Sequence, residues 1–140
     1  MFELPLKSFG VAYLAAFVVF LAVDFVWLST MAERLYRPAL GDMLAAQFRP
    51  APAIAFYLIF AAGLAFFAVR PGLLAGSPLV AMAHGAALGL LAYATYDLTN
   101  QATLKSWPTH LTVIDMIWGG VLSAIASGAS CWLTEKTVGA

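Results

Sequence analysis

Charge is what this chain has least of. Only 10% of its 140 residues are Asp, Glu, Lys or Arg, its formal net charge is zero, and 63% are hydrophobic. Its mean hydropathy is +0.89. A soluble domain carries about 25% charged residues, so this composition excludes an ordinary water-soluble fold. The basic residues are scattered along the chain, which leaves no electrostatic footprint for nucleic acid. The single cysteine, Cys131, has no partner for an internal disulfide. It has no neighbouring second ligand either, so it reads as a small apolar packing residue. The two histidines, His84 and His110, are too far apart to suggest haem or zinc, and no metal site is read. His84 is expected to be a packed neutral side chain. No low-complexity tract and no internal repeat is visible, which argues against a transporter built of inverted halves.

Long apolar runs take the place of charge. Four reach the roughly 20 residues that a helix needs to cross a bilayer: Ser8–Thr30, Ala51–Val69, Pro78–Leu98 and His110–Leu133. The first is longer than the ~7–15-residue apolar core of a signal peptide and contains Asp24, so it is read as a membrane helix. The expected fold is all-α: an integral membrane bundle of four transmembrane helices forming one domain over residues 1–140. The first connection, Met31 to Pro50, carries Glu33, Arg34, Arg37, Asp42 and Arg49, with Leu35, Ala39, Met43 and Leu44 on one face. That pattern predicts a short amphipathic helix there. The second connection, Arg70-Pro71-Gly72 to Ser77-Pro78, reads as a turn. Four spans place both termini on one side. The balance of Arg34, Arg37, Arg49 and Lys105 against Lys7, Arg70 and Lys136 leans the first and third connections towards the cytoplasm.

Within those runs sit three carboxyls: Asp24, Asp97 and Asp115. A carboxylate in hydrocarbon is costly and marks a site, a pathway or a polar helix contact. At 1.5 Å rise per residue all three fall within roughly 10 Å of the same membrane face, and Tyr57 comes to the same level. Tyr93, Tyr96, Asp97 and Asn100 follow i, i+3, i+4, i+7 on one helical face. Asp24 and Trp27 are three apart on the first helix, and Thr112, Asp115 and Trp118 form a stripe on the fourth. Away from this layer the third helix continues as Gly89, Gly85 and Ala81, and the fourth as Gly119, Ser123 and Ser127 beside Gly120, Ala124 and Gly128. Such small-residue stripes let helices approach closely. The expected shape is a cup, tight at one end and splayed around polar groups at the other.

The segment Tyr93-Ala-Thr-Tyr96-Asp97-Leu-Thr-Asn100-Gln-Ala-Thr-Leu-Lys-Ser-Trp107-Pro, followed by Asp115-x-x-Trp118-Gly119, resembles a family of small bacterial membrane proteins catalogued as domain of unknown function 2177. Asp24-x-x-Trp27-Leu28 and Phe56-Tyr57 resemble its other recurring motifs. The resemblance covers nearly the whole chain and implies a four-helix protein, with a bacterial inner membrane as its expected location. It brings no reaction, substrate or cofactor.

Three carboxyls in one apolar layer do not all stay ionised without compensation. The ligand-binding candidates are Asp24, Trp27, Tyr57, Tyr93, Tyr96, Asp97, Asn100, Asp115 and Trp118. The first reading is a cup that binds or transports a small cationic or amphiphilic ligand, its acids supplying charge and its aromatic rings cation–π contacts. The alternative is a membrane enzyme acting on a lipid or other amphiphile with Asp97 or Asp115 as acid–base groups. The second alternative is a structural or regulatory subunit. Besides the bilayer and such a ligand, the partner left open is a second copy of the chain, since four helices need oligomerisation to form a two-sided path. Glu33, Arg34 and Arg37 read most simply as a solvated face, with Arg34 or Arg37 able to fold over the cup and neutralise an aspartate.

Overall fold

The computed structural model describes residues 4–139. Four long helical runs make up the bundle: α1 (Leu6–Met43), α2 (Pro50–Ala75), α3 (Pro78–Thr103) and α4 (Thr109–Val138). Each is long and apolar enough to cross a membrane, and the described residues contain no strand. Large apolar side chains such as Val18, Phe25, Ile59, Leu91 and Ile117 are exposed around the outside. On a water-soluble protein they would be liabilities; on a membrane bundle they are the lipid face. Helices suit this solvent because they satisfy every backbone polar group internally.

The most apolar stretch of α4 is 56% buried, against 22, 33 and 17% in α1, α2 and α3. Thus α4 is the central element, with α3 packed along it and α1 on its other side. The second half of α2 packs against α3, whereas its first half, Pro50–Leu64, packs against α1 and barely approaches α3. The bundle is therefore closed at one end and wedged open at the other.

The closed end is built of small residues. A Cβ placed on Gly72, Gly85 or Gly89 would fall under 3.0 Å from Ala81, Ser127 and Ser123 respectively, so the backbones already touch. Ser130 on α4 donates to the Ala12 carbonyl of α1 at 2.7 Å, which places the start of α1 beside the end of α4. Ala12, Val69, Leu73, Ala81 and Cys131 fill this end. Cys131 is buried packing, as its surroundings in the sequence imply.

Two of the expected connections prove to be helix. The segment after Met31 is helical, but it is not a separate amphipathic element. It continues α1 through a wide π-type turn at Ala32–Tyr36. Likewise α2 does not end at Arg70 but runs to Ala75 through a wide turn at Ala65–Val69. Both wide turns lead into an Arg-Pro pair. The Arg37 and Arg70 amides bond back five residues, to the carbonyls of Ala32 and Ala65. A proline inside a helix lacks a donor and clashes with the carbonyl four residues back. Widening the preceding turn accommodates Pro38 and Pro71 without ending the helix. The actual reversal after α2 is at Gly76, in the left-handed region at φ 64°. Ser77 then caps α3 by accepting from the Val80 amide at 3.3 Å.

Candidate functional site

The open end carries the carboxyls. Asp24, Asp97 and Asp115 are 6, 0 and 7% exposed, so all three face into the bundle. Asp24 accepts from the Tyr57 hydroxyl at 2.6 Å and from Trp118 Nε1 at 3.1 Å. These bonds tie α1, α2 and α4 together at one level. The Trp27 and Trp118 rings stack beside them, with centroids 4.3 Å apart and planes 9° from parallel.

Asp115 is held from an unexpected direction. The Tyr36 hydroxyl donates to it at 2.6 Å and accepts from Trp27 Nε1 at 2.9 Å, giving a chain from Trp27 through Tyr36 to Asp115. A straight helix would carry Tyr36 about 13 Å beyond Trp27 along its axis. The wide turn and the buried Leu35 fold this extension back onto the bundle. Tyr36 was not among the sequence candidates, and its only signal was an aromatic just ahead of an Arg-Pro pair. Glu33 and Arg37 lie on a solvated face, as read from the sequence: Arg37 pairs with Glu33 at 2.9 Å on an exposed surface rather than folding over the cup. Among the described residues no Lys or Arg forms an ion pair with any of the three aspartates.

Asp97 is different again. Neither of its buried oxygens meets an N–H or hydroxyl donor, and the Asp115 carboxyl lies within hydrogen-bond reach, so the two acids can share one proton. The hydroxyl of nearby-in-sequence Thr112 and the Trp107 indole N–H are likewise buried without partners. A buried carboxyl without a donor is costly and rare in finished structures. Its position therefore calls for a proton or a cation.

A cavity of about 240 Å³ opens beside these groups, lined by Phe56, Ala92, Tyr93, Tyr96 and Asp115. It occupies the wedge between the first half of α2 and the end of α3. Tyr93 rests on Gly119, which has no side chain to displace it. Tyr96 is half exposed and meets Trp107 edge to face at 5.7 Å. The α1 extension reaches the third connection, where Ser106 contacts Met43 at 3.5 Å.

The structure thus joins Asp24, Trp27, Tyr57, Asp115 and Trp118 in one bonded layer and sets Asp97, Tyr93 and Tyr96 alongside it. Asn100 belongs to the Tyr96 edge of this end rather than to the Asp24 network. Asp97 and Asp115 meet directly, and no three His, Cys, Asp or Glu among the described residues could hold a metal ion. His84 departs from expectation. It is exposed on the lipid-facing surface and bonds only the Val80 carbonyl of its own helix, at 2.9 Å.

No curated protein and no solved structure matches the chain. A family model described as "Predicted membrane protein (DUF2177)" matches residues 9–132, a stretch that reaches into all four helices and holds every aspartate, tyrosine and tryptophan of this layer. The chain belongs to that family of membrane proteins.

Proposed function

We propose that this chain is a ligand-binding membrane protein whose intramembrane cup takes a small cationic or amphiphilic molecule, for binding or for transport. The observation that carries the reading is the Asp97–Asp115 pair, two buried carboxyls within hydrogen-bond reach of each other, without a basic partner among the described residues, one of which lines a cavity. Helix contacts alone give such a group no reason to be there, because polar contacts between membrane helices are satisfied pairs. A positively charged occupant supplies what the protein omits, and Tyr93, Tyr96 and the Trp27–Trp118 pair offer ring faces and edges near it. Resemblance to bacterial proteins and the helical build favour a bacterial inner membrane, since outer membranes take β-barrels.

The test is native mass spectrometry of the purified protein with whatever lipids and metabolites it retains. A cationic or zwitterionic adduct on the wild type, absent from folded Asp97→Asn and Asp115→Asn, is the expected result. An adduct pattern unchanged in both variants rules the cup out.

A further inference from the structure

The route to the cup carries a deeper inference, which rests on the ligand-binding reading above. Three observations bear on it. The α1 extension folds over the end of the bundle towards the third connection, with Tyr36 bonded to Asp115 and Met43 in contact with Ser106. Among the described residues the cavity is lined by α2, α3 and α4, through Phe56, Ala92, Tyr93, Tyr96 and Asp115, and not by the α1 extension or the third connection. The first half of α2 stands off α3, and the residues at the mouth of that wedge, Phe56 and Tyr96, are 42 and 57% exposed on the side where lipid lies.

We propose that the cup is loaded sideways from the bilayer, between α2 and α3, and that its occupant is a single-chain cationic amphiphile. Its ammonium head meets Asp115 at the cavity wall, with the Asp97 carboxyl paired behind it, and its tail leaves along Phe56, Ala92 and Tyr96. The acids account for the sign of the head, since no Lys or Arg neutralises them among the described residues. The wall accounts for the tail, being aromatic and aliphatic apart from Asp115 and the tyrosine hydroxyls. Size accounts for the division between them. At about 240 Å³ the cavity is smaller than the ~300–1,000 Å³ typical of sites that enclose a drug-sized ligand. It holds a head group and the first part of a chain, and the remainder lies in lipid.

The experiment uses the full chain in phosphatidylcholine nanodiscs and a twelve-carbon alkylammonium probe bearing a diazirine. The expected result is labelling of peptides containing Phe56, Ala92 or Tyr96. Dodecylammonium should suppress that labelling at concentrations at least tenfold below those needed with dodecanol or methylammonium. Asp97→Asn should weaken this protection at least tenfold, and Ala92→Phe, which fills the wedge, should abolish it. If Ala92→Phe fails to fold, Phe56→Cys blocked with a bulky maleimide after purification closes the same passage. Labelling spread evenly over the lipid face and not competed by dodecylammonium overturns the inference. In that event Asp97-dependent binding of methylammonium leaves the cup standing and removes only the sideways amphiphile. Failure of both cations to bind removes both.

Discussion

Where α2 ends, Gly72 meets Ala81 and the chain turns tightly into α3; where α2 begins, the same two helices stand apart around Phe56 and Tyr96. At the closed end glycines and serines bring backbones into contact. At the open end each helix contributes large aromatic side chains and three of them contribute carboxyls. The bilayer offers no hydrophobic force to drive helices together, so close packing of small residues has to hold the bundle. Concentrating that packing at one end leaves the other free to keep polar groups and a cavity. Within the open end the carboxyls differ too: Asp24 has two donors, Asp115 has one, and Asp97 has none.

The sharpest way to break this comparison is to disturb the closed end. Gly89→Leu forces apart backbones that now touch Gly119 and Ser123. It should cost about 3 kcal/mol or more, seen as loss of the folded monomer when the detergent-solubilised protein is heated. An unchanged melting temperature would mean that the stripe is not what holds the bundle.

Next in size is the contrast between aspartates. Asp24→Leu orphans the Tyr57 hydroxyl and the Trp118 indole, at a cost of about 1–3 kcal/mol. Asp97→Leu removes a buried carboxyl whose partner is a second carboxyl, Asp115, and should be neutral or stabilising. Equal destabilisation by the two variants in steric-trap unfolding would erase the distinction on which the cup depends.

Tyr36→Phe is smaller, about 1 kcal/mol. It cuts the link from Trp27 to Asp115 and should red-shift indole emission as water reaches the layer. Emission unchanged from wild type would show that Tyr36 does not seal the cup. Smallest is Glu33→Ala, which breaks an exposed i,i+4 ion pair and should move stability by at most ~0.5 kcal/mol. A larger loss would give the extension a structural role that its surface position does not explain.

The sequence reveals these two ends unequally. The four spans, the shared depth of Asp24, Asp97, Asp115 and Tyr57, and the stripe Ala81-Gly85-Gly89 are all properties of helical period and length, so they can be read without coordinates. Tyr36 could not be. Its place over Asp115 depends on a helix surviving Arg37-Pro38, and proline chemistry argues locally for a break. The same misleading signal hid the last turn of α2 behind Arg70-Pro71. His84 shows the converse limit, because a lone polar residue on a lipid-facing helix can satisfy itself on its own backbone, and hydropathy does not show which way it faces. The wedge between α2 and α3 is a difference in packing along one helix pair, set by residues on both, and no single segment encodes it.

The central claim is that Asp97 is kept for an occupant rather than for the fold. Asp97→Asn addresses it directly, because the amide preserves size and polarity while removing the capacity to carry a negative charge. Melting temperature and dodecylammonium binding should be measured on the same nanodisc preparation. The account predicts a melting temperature equal to or above wild type and binding weakened at least tenfold. A fall in melting temperature with binding unchanged would contradict it and make Asp97 a structural residue.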